Sequence, residues 1–280
     1  MENSKISIIM GIYNCADTLS VAIDSILDQT YTNWELIMCD DASTDDTYNI
    51  AMSYKEKYPE KIILIKNEKN LKLSYTLNHC LQYVTGKYVA RMDGDDRSLP
   101  ERFTRQIQYL QAHPEIDLVG TAMQRFNDEG LADITCPKEH PDKYILRRGV
   151  PFDHATIMTY KYVYDRLNGY TVSERTKRSQ DYDLWFRFYA AGFRGDNIQE
   201  PLYLVKEDIA AIKRRTFNNR LNIFKTTCYG FKLLGFPKRW LIRPAIDMII
   251  KSIIPSRIIY LYREYQKKSF QKENGKSSKR

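Results

Sequence analysis

The stretch YVARMDGDD, residues 88–96, runs from an apolar segment into three carboxylates within four residues. Tyr88–Met92 has the composition of a buried strand, so the carboxylates stand where that strand ends. Like charges this close repel one another, and a divalent cation removes the repulsion. The Asp-x-Asp spacing places Asp93 and Asp95 on one side of an extended segment. The stretch therefore predicts a Mg²⁺ or Mn²⁺ site, the alternative being a polar surface turn.

Short apolar runs alternate with segments of helical periodicity from residue 5 to about 120. The runs predict strands at Ile6–Met10, Leu36–Cys39, Ile62–Ile65, Tyr88–Met92 and Asp117–Thr121. The periodic segments predict helices at Asp17–Gln29, Thr47–Lys57, Leu73–Val84 and Arg102–Ala112. This alternation indicates an α/β fold with a mostly parallel, Rossmann-like sheet covered by helices on both faces. A ligand site is expected beyond the carboxyl ends of the strands.

A second polar loop, Gly11–Asn14, follows the first predicted strand. Gly11 lets the backbone approach a ligand, and the ring of Tyr13 can stack on a base. An ordinary strand-to-helix turn, capped by Asn14, explains the same residues.

A third loop, Asp40–Thr47, follows the second predicted strand. Carboxylates at the end of a buried strand need hydrogen-bond partners to offset their desolvation. We expect Ser43–Asp46 to cap the next helix, which leaves Asp40 and Asp41 free to bind a ligand.

The second half, about 121–205, is less regular. It has a polar loop at 127–130, a predicted strand at Ala155–Thr159, a predicted helix at Asp181–Ala191 and a predicted strand near Ile198–Leu204. We expect this half to extend the same sheet.

Four ordered segments together resemble the family 2 glycosyltransferases of the GT-A fold: Ser7–Asn14, Asp40–Thr47, Gly86–Asp96 and Leu99–Arg102. The resemblance covers about residues 4–205. It implies an inverting enzyme that moves a sugar from a nucleotide-diphosphate sugar, a UDP-sugar being favoured, to a hydroxyl acceptor. It also implies one domain, residues 1–205, with a donor half at about 1–120 and an acceptor half at about 121–205.

The resemblance also implies roles for the residues of these loops. Asp41 would bind the uracil or other base, with Tyr13 packed beside it and Gly11 in the same donor site. Asp95 would be the metal ligand, for Mn²⁺ or Mg²⁺, and Asp93 would reach the ribose or sugar of the donor.

A further segment, Ser179–Arg187, looks like the family's Glu-Asp motif followed by a helix, in which the Asp is the general base. Asp181 would then take the proton of the acceptor hydroxyl. Gln180 stands where Glu is usual, which puts in doubt whatever that Glu orients. An N-cap of the helix is the structural alternative for Asp181, with Asp183 as a partner of the helix dipole.

His154 lies in a segment, Pro151–Thr156, that resembles the acceptor side of the same family. It is predicted to contact the acceptor or the diphosphate, although a lone histidine is more often structural. The Gln-x-x-Arg-Trp motif of processive members is absent from the sequence, which favours a single transfer per encounter.

The sequence is rich in Lys and Arg beyond Leu204, and the net charge of the whole sequence is +8. Residues 206–270 predict a helical segment, and 242–254 place isoleucines on one helical stripe with charges opposite. These helices pack on the domain or lie on an anionic membrane surface. The final residues, 271–280, are predicted to be disordered.

The five cysteines are scattered and include no CxxC pair, which argues against a disulfide framework or a zinc site and favours a reducing compartment. No signal peptide or spanning segment is evident, so we expect a cytoplasmic protein, peripheral on the inner face of the cell membrane. The resemblance and the basic tail together imply as partners the donor and a glycan or lipid-linked glycan of bacterial surface polysaccharide synthesis, with an anionic membrane surface and without nucleic acid.

Three other functions fit parts of the pattern. A sugar-nucleotide nucleotidyltransferase would need a Gly-rich, basic loop after the first strand, and Gly11–Asn14 is not one. A nucleic-acid-binding module is disfavoured because acidic strand ends repel phosphate. A catalytically inactive GT-A scaffold is the remaining alternative, supported by Gln180.

Overall fold

The computed structural model describes residues 3–127, 130–207 and 216–253. Within these ranges nine strands form one sheet: β1 (Ile6–Ile12), β2 (Trp34–Asp40), β3 (Ile62–Lys66), β4 (Tyr88–Arg91), β5 (Arg97–Ser98), β6 (Leu118–Asn127), β7 (Gly130–Thr135), β8 (Met158–Tyr160) and β9 (Gly195–Lys206). The α-helices are α1 (Ala16–Leu27), α2 (Thr47–Lys57), α3 (Leu73–Leu81), α4 (Arg102–Ala112), α5 (Lys161–Leu167), α6 (Gln180–Ala190), α7 (Phe217–Leu233) and α8 (Ile242–Ile253).

The strands follow the order β3-β2-β1-β4-β8-β6-β9-β5, and β7 pairs with β6. The first four are parallel, as the strand–helix alternation predicts. Beyond β4 the sheet is mixed, because β8 runs antiparallel to both of its neighbours while β6 and β9 are parallel. The second half lacks regular crossover helices, and antiparallel pairs need none. The α/β class is confirmed, and parallel pairing prevails mainly in the first half.

Most element boundaries agree with the periodicity, and α2 and α4 have the predicted limits. The predicted strand Ala155–Thr159 is different, because residues 154–156 form a 3₁₀ turn and β8 begins at Met158. The strands on either side of the predicted polar loop, β6 and β7, pair antiparallel, with Asn127 opposite Gly130. Helix α5 was not predicted, since its seven residues are too short for a clear apolar period.

Two apolar cores cover the two faces of the sheet. Alternate side chains of β1 enter opposite cores: Ile8 and Met10 pack with α1 and α4, whereas Ile9 packs with α3 and α6. This period of two is the normal consequence of strand geometry. It confirms that helices cover the sheet on both faces.

The C-terminal helices differ in how they contact this sheet domain. Helix α7 packs on α6, where Phe231 meets Phe186 edge-to-face and the backbone of Gly230 lies against the same ring. Helix α8 instead leaves four isoleucines exposed, namely Ile242, Ile246, Ile249 and Ile250. No helix among the described residues has the length and apolarity to cross a bilayer. The apolar run at 258–262 and the predicted disordered tail lie outside the described residues.

Candidate active site

A cleft of about 660 Å³ opens at the carboxyl ends of β1 and β4. It brings together the predicted residues Gly11, Tyr13, Asp93 and Asp95. The ring of Tyr13 is 47% exposed, so a base can stack on it. The side chain of Lys206 also lines the cleft and adds a cation that the motifs do not mark.

Gly11 keeps a helix close to the floor of this cleft. A Cβ at this position would lie 3.1 Å from Leu73 Cδ1 and 3.2 Å from Thr76 Cγ2 on α3. The absence of a side chain therefore permits tight packing of α3 on β1, in addition to any approach of a ligand.

The loop 40–47 serves two helices, α2 as expected and also α1. Ser43 Oγ, Asp45 Oδ2 and Thr47 Oγ1 accept hydrogen bonds from the amides of residues 14, 16 and 15, at the start of α1. In the other direction, Asn14 Oδ1 accepts a bond from the Thr44 amide. The prediction that Ser43–Asp46 cap the next helix holds for Asp46, the N-cap residue of α2, and for Asp45, which accepts from the Thr47 amide. The side chain of Ser43 and a second oxygen of Asp45 serve the loop before α1 instead, because the two loops meet in space.

Asp40 and Asp41 are buried and already hydrogen-bonded, which differs from the expectation that they are free. Asp40 accepts from the Ser43 amide. Asp41 accepts from Asn67 Nδ2 at 2.9 Å, the Leu71 amide at 2.8 Å and the Lys72 amide at 2.9 Å. Asp41 thus anchors the loop before α3, and its assignment to the nucleotide base stays a prediction.

Lys72 has a backbone φ of 71°, a region that glycine adopts without strain and that lysine rarely enters. The same residue donates its amide to Asp41 Oδ2. The bond to a buried carboxylate offsets part of the cost of this backbone conformation.

The three carboxylates of the 93–96 loop have three different environments. Asp93 Oδ1 pairs with Nη2 of the buried Arg91 at 2.5 Å. Asp96 points inward, where its two oxygens accept from the Tyr203 hydroxyl at 2.9 Å and from the Lys206 amide at 2.8 Å. Asp95 is exposed to the cleft. The ion pair of Asp93 and the hydrogen bonds of Asp96 therefore reduce the repulsion among the three carboxylates, in addition to any effect of a bound cation.

Asp95 is the carboxylate of this loop best placed to meet a cation. The desolvating walls of the cleft, and then the charge of Asp93, raise its pKa above the usual value. Within the described ranges, no three His, Cys, Asp or Glu side chains group as ligands of one metal ion. Mg²⁺ is commonly bound by one or two carboxylates together with substrate phosphates. The donor set of Asp95 and Asp93 fits a cation shared with a diphosphate.

Asp181 lies in the first turn of α6, and Ser179, not Asp181, is the N-cap residue. Its Oδ1 accepts from the amide of Tyr182 at 2.8 Å. Burial raises the pKa of Asp181, and the positive charge of Arg91 opposes that rise. The charge of Arg91 thus acts on both Asp93 and Asp181. Arg91 therefore couples the 93–96 loop electrostatically to the predicted general base.

Gln180 and His154 have contrasting surroundings. The Gln180 side chain forms no hydrogen bond within the described residues and is half-buried. His154 Nε2 lies 2.8 Å from the Tyr170 hydroxyl, and its ring packs edge-on against Trp185. Burial, followed by the charge of Arg91, holds the pKa of His154 well below its usual range. A neutral His154 is suited to a structural role or to an acceptor hydroxyl, and not to a cationic contact with diphosphate.

Asp153 is a half-buried residue that none of the sequence motifs marks. Its Oδ2 has no hydrogen-bond partner among the described residues. Burial raises its pKa to about 6, Arg125 opposes the rise, and the charge of Asp181 adds to it. The only sequence signal was a charged residue inside an apolar, acceptor-side segment, which does not reveal its proximity to Asp181.

We expect Asp153→Asn to stabilise the ligand-free protein at pH 8 by up to about 3 kcal/mol, the equivalent of a two-unit pKa shift. The folded pKa lies above that of an unfolded Asp, so the stability of the natural protein falls as pH rises from about 4 to 6. The variant lacks this dependence, and below pH 4 the two proteins should agree. Thermal unfolding across pH 4–8 measures the difference, and a lower melting temperature for the variant at pH 8 contradicts it.

Comparison with known proteins identifies the family. The family model described as glycosyl transferase family 2 matches residues 7–165, more than half of the chain. The chain belongs to glycosyl transferase family 2. The matched range contains the loops after β1, β2 and β4, so the resemblance drawn from those loops is confirmed.

Two relatives cover most of this glycosyltransferase. "Putative glycosyltransferase EpsE" of Bacillus subtilis (strain 168) is 43% identical over 262 residues, which span 92% of each chain. WfaP of Escherichia coli is 29% identical over 224 residues, 79% of this chain and 86% of the relative. The latter is named as a UDP-Glc:α-D-GlcNAc-diphosphoundecaprenol β-1,3-glucosyltransferase.

A solved structure confirms the GT-A fold. The mannosyltransferase PcManGT from Pyrobaculum calidifontis, in complex with GDP-Man and Mn²⁺, superposes with a TM-score of 0.60. The match covers 94% of this chain and 80% of the other at 20% sequence identity. At that identity the comparison establishes the shared fold alone.

Proposed function

We propose that this glycosyltransferase uses a nucleotide-diphosphate sugar, a UDP-sugar by preference, and transfers the sugar with inversion to a hydroxyl acceptor. The observation that carries the proposal is the placement of Arg91, which pairs with Asp93 of the cleft and whose charge also acts on the half-buried Asp181. Arg91 therefore lies close both to a carboxylate of the proposed donor site and to the proposed base. The UDP preference is supported by the donor named for WfaP.

Each cleft residue has a role in the proposed reaction. Tyr13 would stack on the base of the donor, Asp95 would hold Mn²⁺ or Mg²⁺, and Asp93 would reach the ribose or sugar of the donor. A bound divalent cation supplies charge neutralisation to the departing diphosphate. Lys206, whose charge acts on Asp95, is placed to pair with the same phosphates.

Asp181 would act as the general base. The acceptor oxygen attacks the anomeric carbon while its proton passes to the carboxylate of Asp181. The bond from the anomeric carbon to the diphosphate oxygen breaks, and the nucleoside diphosphate leaves with the electron pair. Attack from the face opposite the leaving group inverts the configuration at that carbon.

The acceptor we propose is a lipid-linked glycan of bacterial surface polysaccharide synthesis, used at the inner face of the cell membrane. Support comes from the diphosphoundecaprenol acceptor named for WfaP and from the exposed isoleucines of α8. An apolar helix face bordered by basic residues is suited to an anionic membrane surface.

Nucleotide-dependent thermal stabilisation tests the donor site. A nucleotide at about 100 times its dissociation constant stabilises the native state by about 2.7 kcal/mol, which raises the melting temperature by about 5 °C. We expect one of UDP, GDP, CMP and dTDP to give this shift with Mn²⁺ and to lose most of it in EDTA. Asp95→Asn should show no metal-dependent shift.

Asp17→Asn is the matched control, because Asp17 also lines the cleft but lies outside the 93–96 loop. It should keep the shift seen for the natural protein. Absence of a shift with every nucleotide would contradict the proposal and favour an inactive scaffold. An undiminished shift in Asp95→Asn would contradict the metal assignment alone.

A further inference from the structure

A second pocket, of about 380 Å³, lies where the turn after residues 143–147 meets the start of α8. Four arginines line it, together with Trp240 and two isoleucines of α8: Arg147, Arg148, Arg239 and Arg243. We refer to this site as the arginine pocket. It does not overlap the residues that line the cleft at β1 and β4.

The four arginines lack anionic partners in the part of the chain that the structure describes. None of their guanidinium groups forms an ion pair with a carboxylate of residues 3–127, 130–207 or 216–253. Arg147 instead lies over the ring of Trp240, with 3.8 Å between its guanidinium carbon and the ring centroid. Like charges around one small cavity repel one another, and a bound anion removes that repulsion. Arginine is suited to phosphate because its planar group donates two parallel hydrogen bonds.

The pocket is continuous with an exposed apolar face. Ile242 and Ile246 line the pocket, and Ile249 and Ile250 continue the same face of α8. These four side chains are 47–62% exposed. A contiguous apolar patch beside a cationic pocket favours a ligand that is both anionic and apolar. Nucleic acid does not supply the apolar part.

The chain's own C-terminal tail is a poor occupant for this site. Residues 254–280 contain eight Lys or Arg residues and two Glu residues, so their net positive charge does not match a pocket lined by four arginines.

We propose that the arginine pocket binds the phosphate of an anionic phospholipid headgroup, with the isoleucines of α8 in the acyl boundary of the same leaflet. The proposal rests on the membrane association proposed above and names its site. It does not depend on the transfer reaction.

This docking would place the acceptor side of the enzyme at the bilayer. The Leu146 carbonyl, adjacent to Arg147, accepts a hydrogen bond from the Tyr182 hydroxyl at 2.5 Å. Tyr182 follows Asp181 directly in α6. The pocket is therefore connected through one hydrogen bond to the helix turn that carries the proposed base. A lipid-linked acceptor would reach Asp181 from the membrane side.

Vesicle flotation of the full-length chain tests the proposal. The probes are vesicles of phosphatidylcholine alone and of phosphatidylcholine mixed with phosphatidylglycerol. We expect the natural protein to float with the anionic vesicles only. Arg239→Gln/Arg243→Gln should partition about 30-fold more weakly, because each basic residue near an anionic surface contributes about fivefold.

Two variants control for charge and for folding. Lys55→Gln/Lys57→Gln on α2 removes the same net charge from an element outside the pocket and should float like the natural protein. Arg239→Lys/Arg243→Lys keeps the charge and should retain most of the binding. All variants should keep the nucleotide-dependent thermal shift, so failure of this proposal is distinguishable from failure of the donor site.

Two outcomes overturn the proposal. One is equal flotation of Arg239→Gln/Arg243→Gln and the α2 control. The other is binding of the natural protein to phosphatidylcholine vesicles that carry a prenyl diphosphate, with no binding to phosphatidylglycerol. That result would assign the pocket to the diphosphate of a lipid carrier in place of a bilayer headgroup.

Discussion

Asp181→Asn is expected to lower the transfer rate by about 10²–10⁴-fold, the usual contribution of a positioned general base. The amide has nearly the same shape and can still accept the hydrogen bond from the Tyr182 amide. It cannot take a proton from the acceptor hydroxyl. The measurement is the initial rate of nucleoside diphosphate release with donor and acceptor present, beside the nucleotide-dependent thermal shift. The rate should collapse while the shift persists.

The pH profile separates a base from a positioning group. Burial raises the pKa of Asp181 above that of an exposed aspartate. A base acts in its deprotonated form, so the rate should fall as pH decreases through this raised pKa. The acidic limb should therefore lie at higher pH than for an ordinary aspartate, and Asp181→Asn should lack it. Asp165→Asn, at an exposed ion pair on α5, is the control and should keep both rate and profile. A fully active Asp181→Asn would refute the assignment.

The regular elements of the donor half were predictable because their signal is local. Helix α4 has the limits that its apolar period indicates, and the alternation along β1 places its side chains in two cores. Both follow from residues within a few positions of one another. The same local reading located Asp93 and Asp95 at a strand end.

The environments of the acidic residues were not predictable in this way. Asp96 accepts a hydrogen bond from the hydroxyl of Tyr203, which is 107 residues away in the sequence. Asp41 is bound by the loop before α3, 26 to 31 residues downstream. Residue type and spacing show that carboxylates gather at strand ends. Which of them faces the cleft depends on long-range partners that the sequence pattern does not display.

The arginine pocket illustrates the same limit. Arg147 and Arg239 are separated by more than ninety residues, and each appears in the sequence as one charge in a basic region. The amphipathic stripe of α8 was readable, but its exposure and its position beside Arg147 required the packing of α7 on α6. A surface formed by residues that are distant in the sequence can be recognised only when the tertiary contacts are known.

Asp183→Asn is expected to destabilise the protein by about 3–5 kcal/mol, the usual cost of removing one charged partner of a buried ion pair. Asp183 is fully buried, and its two oxygens accept from Arg175 Nη1 at 2.6 Å, Arg187 Nε at 2.8 Å and Thr171 Oγ1 at 2.6 Å. The sequence suggested only a helix-dipole partner at this position. The structure shows instead the centre of a network that ties residues 171–175 to α6.

The asparagine variant leaves two arginines without their common counter-charge, because both face the site that Asp183 occupied. A loss of 3–5 kcal/mol lowers the melting temperature by on the order of 10 °C for a chain of this size. Differential scanning calorimetry at neutral pH measures it. Asp165→Asn removes a surface pair with Lys161 and should lower stability by no more than about 0.5 kcal/mol.

Asp181→Asn and Asp183→Asn, both on α6, should also differ in the property that they change. Asp183→Asn acts on folding, so its rate per folded molecule, measured well below its melting temperature, should stay within a small factor of the natural protein. Asp181→Asn acts on proton transfer, so it should lose rate with little loss of stability. If Asp183→Asn unfolds within a degree or two of the natural protein, Arg175 and Arg187 have other anions to pair with, and the buried network does not organise the start of α6.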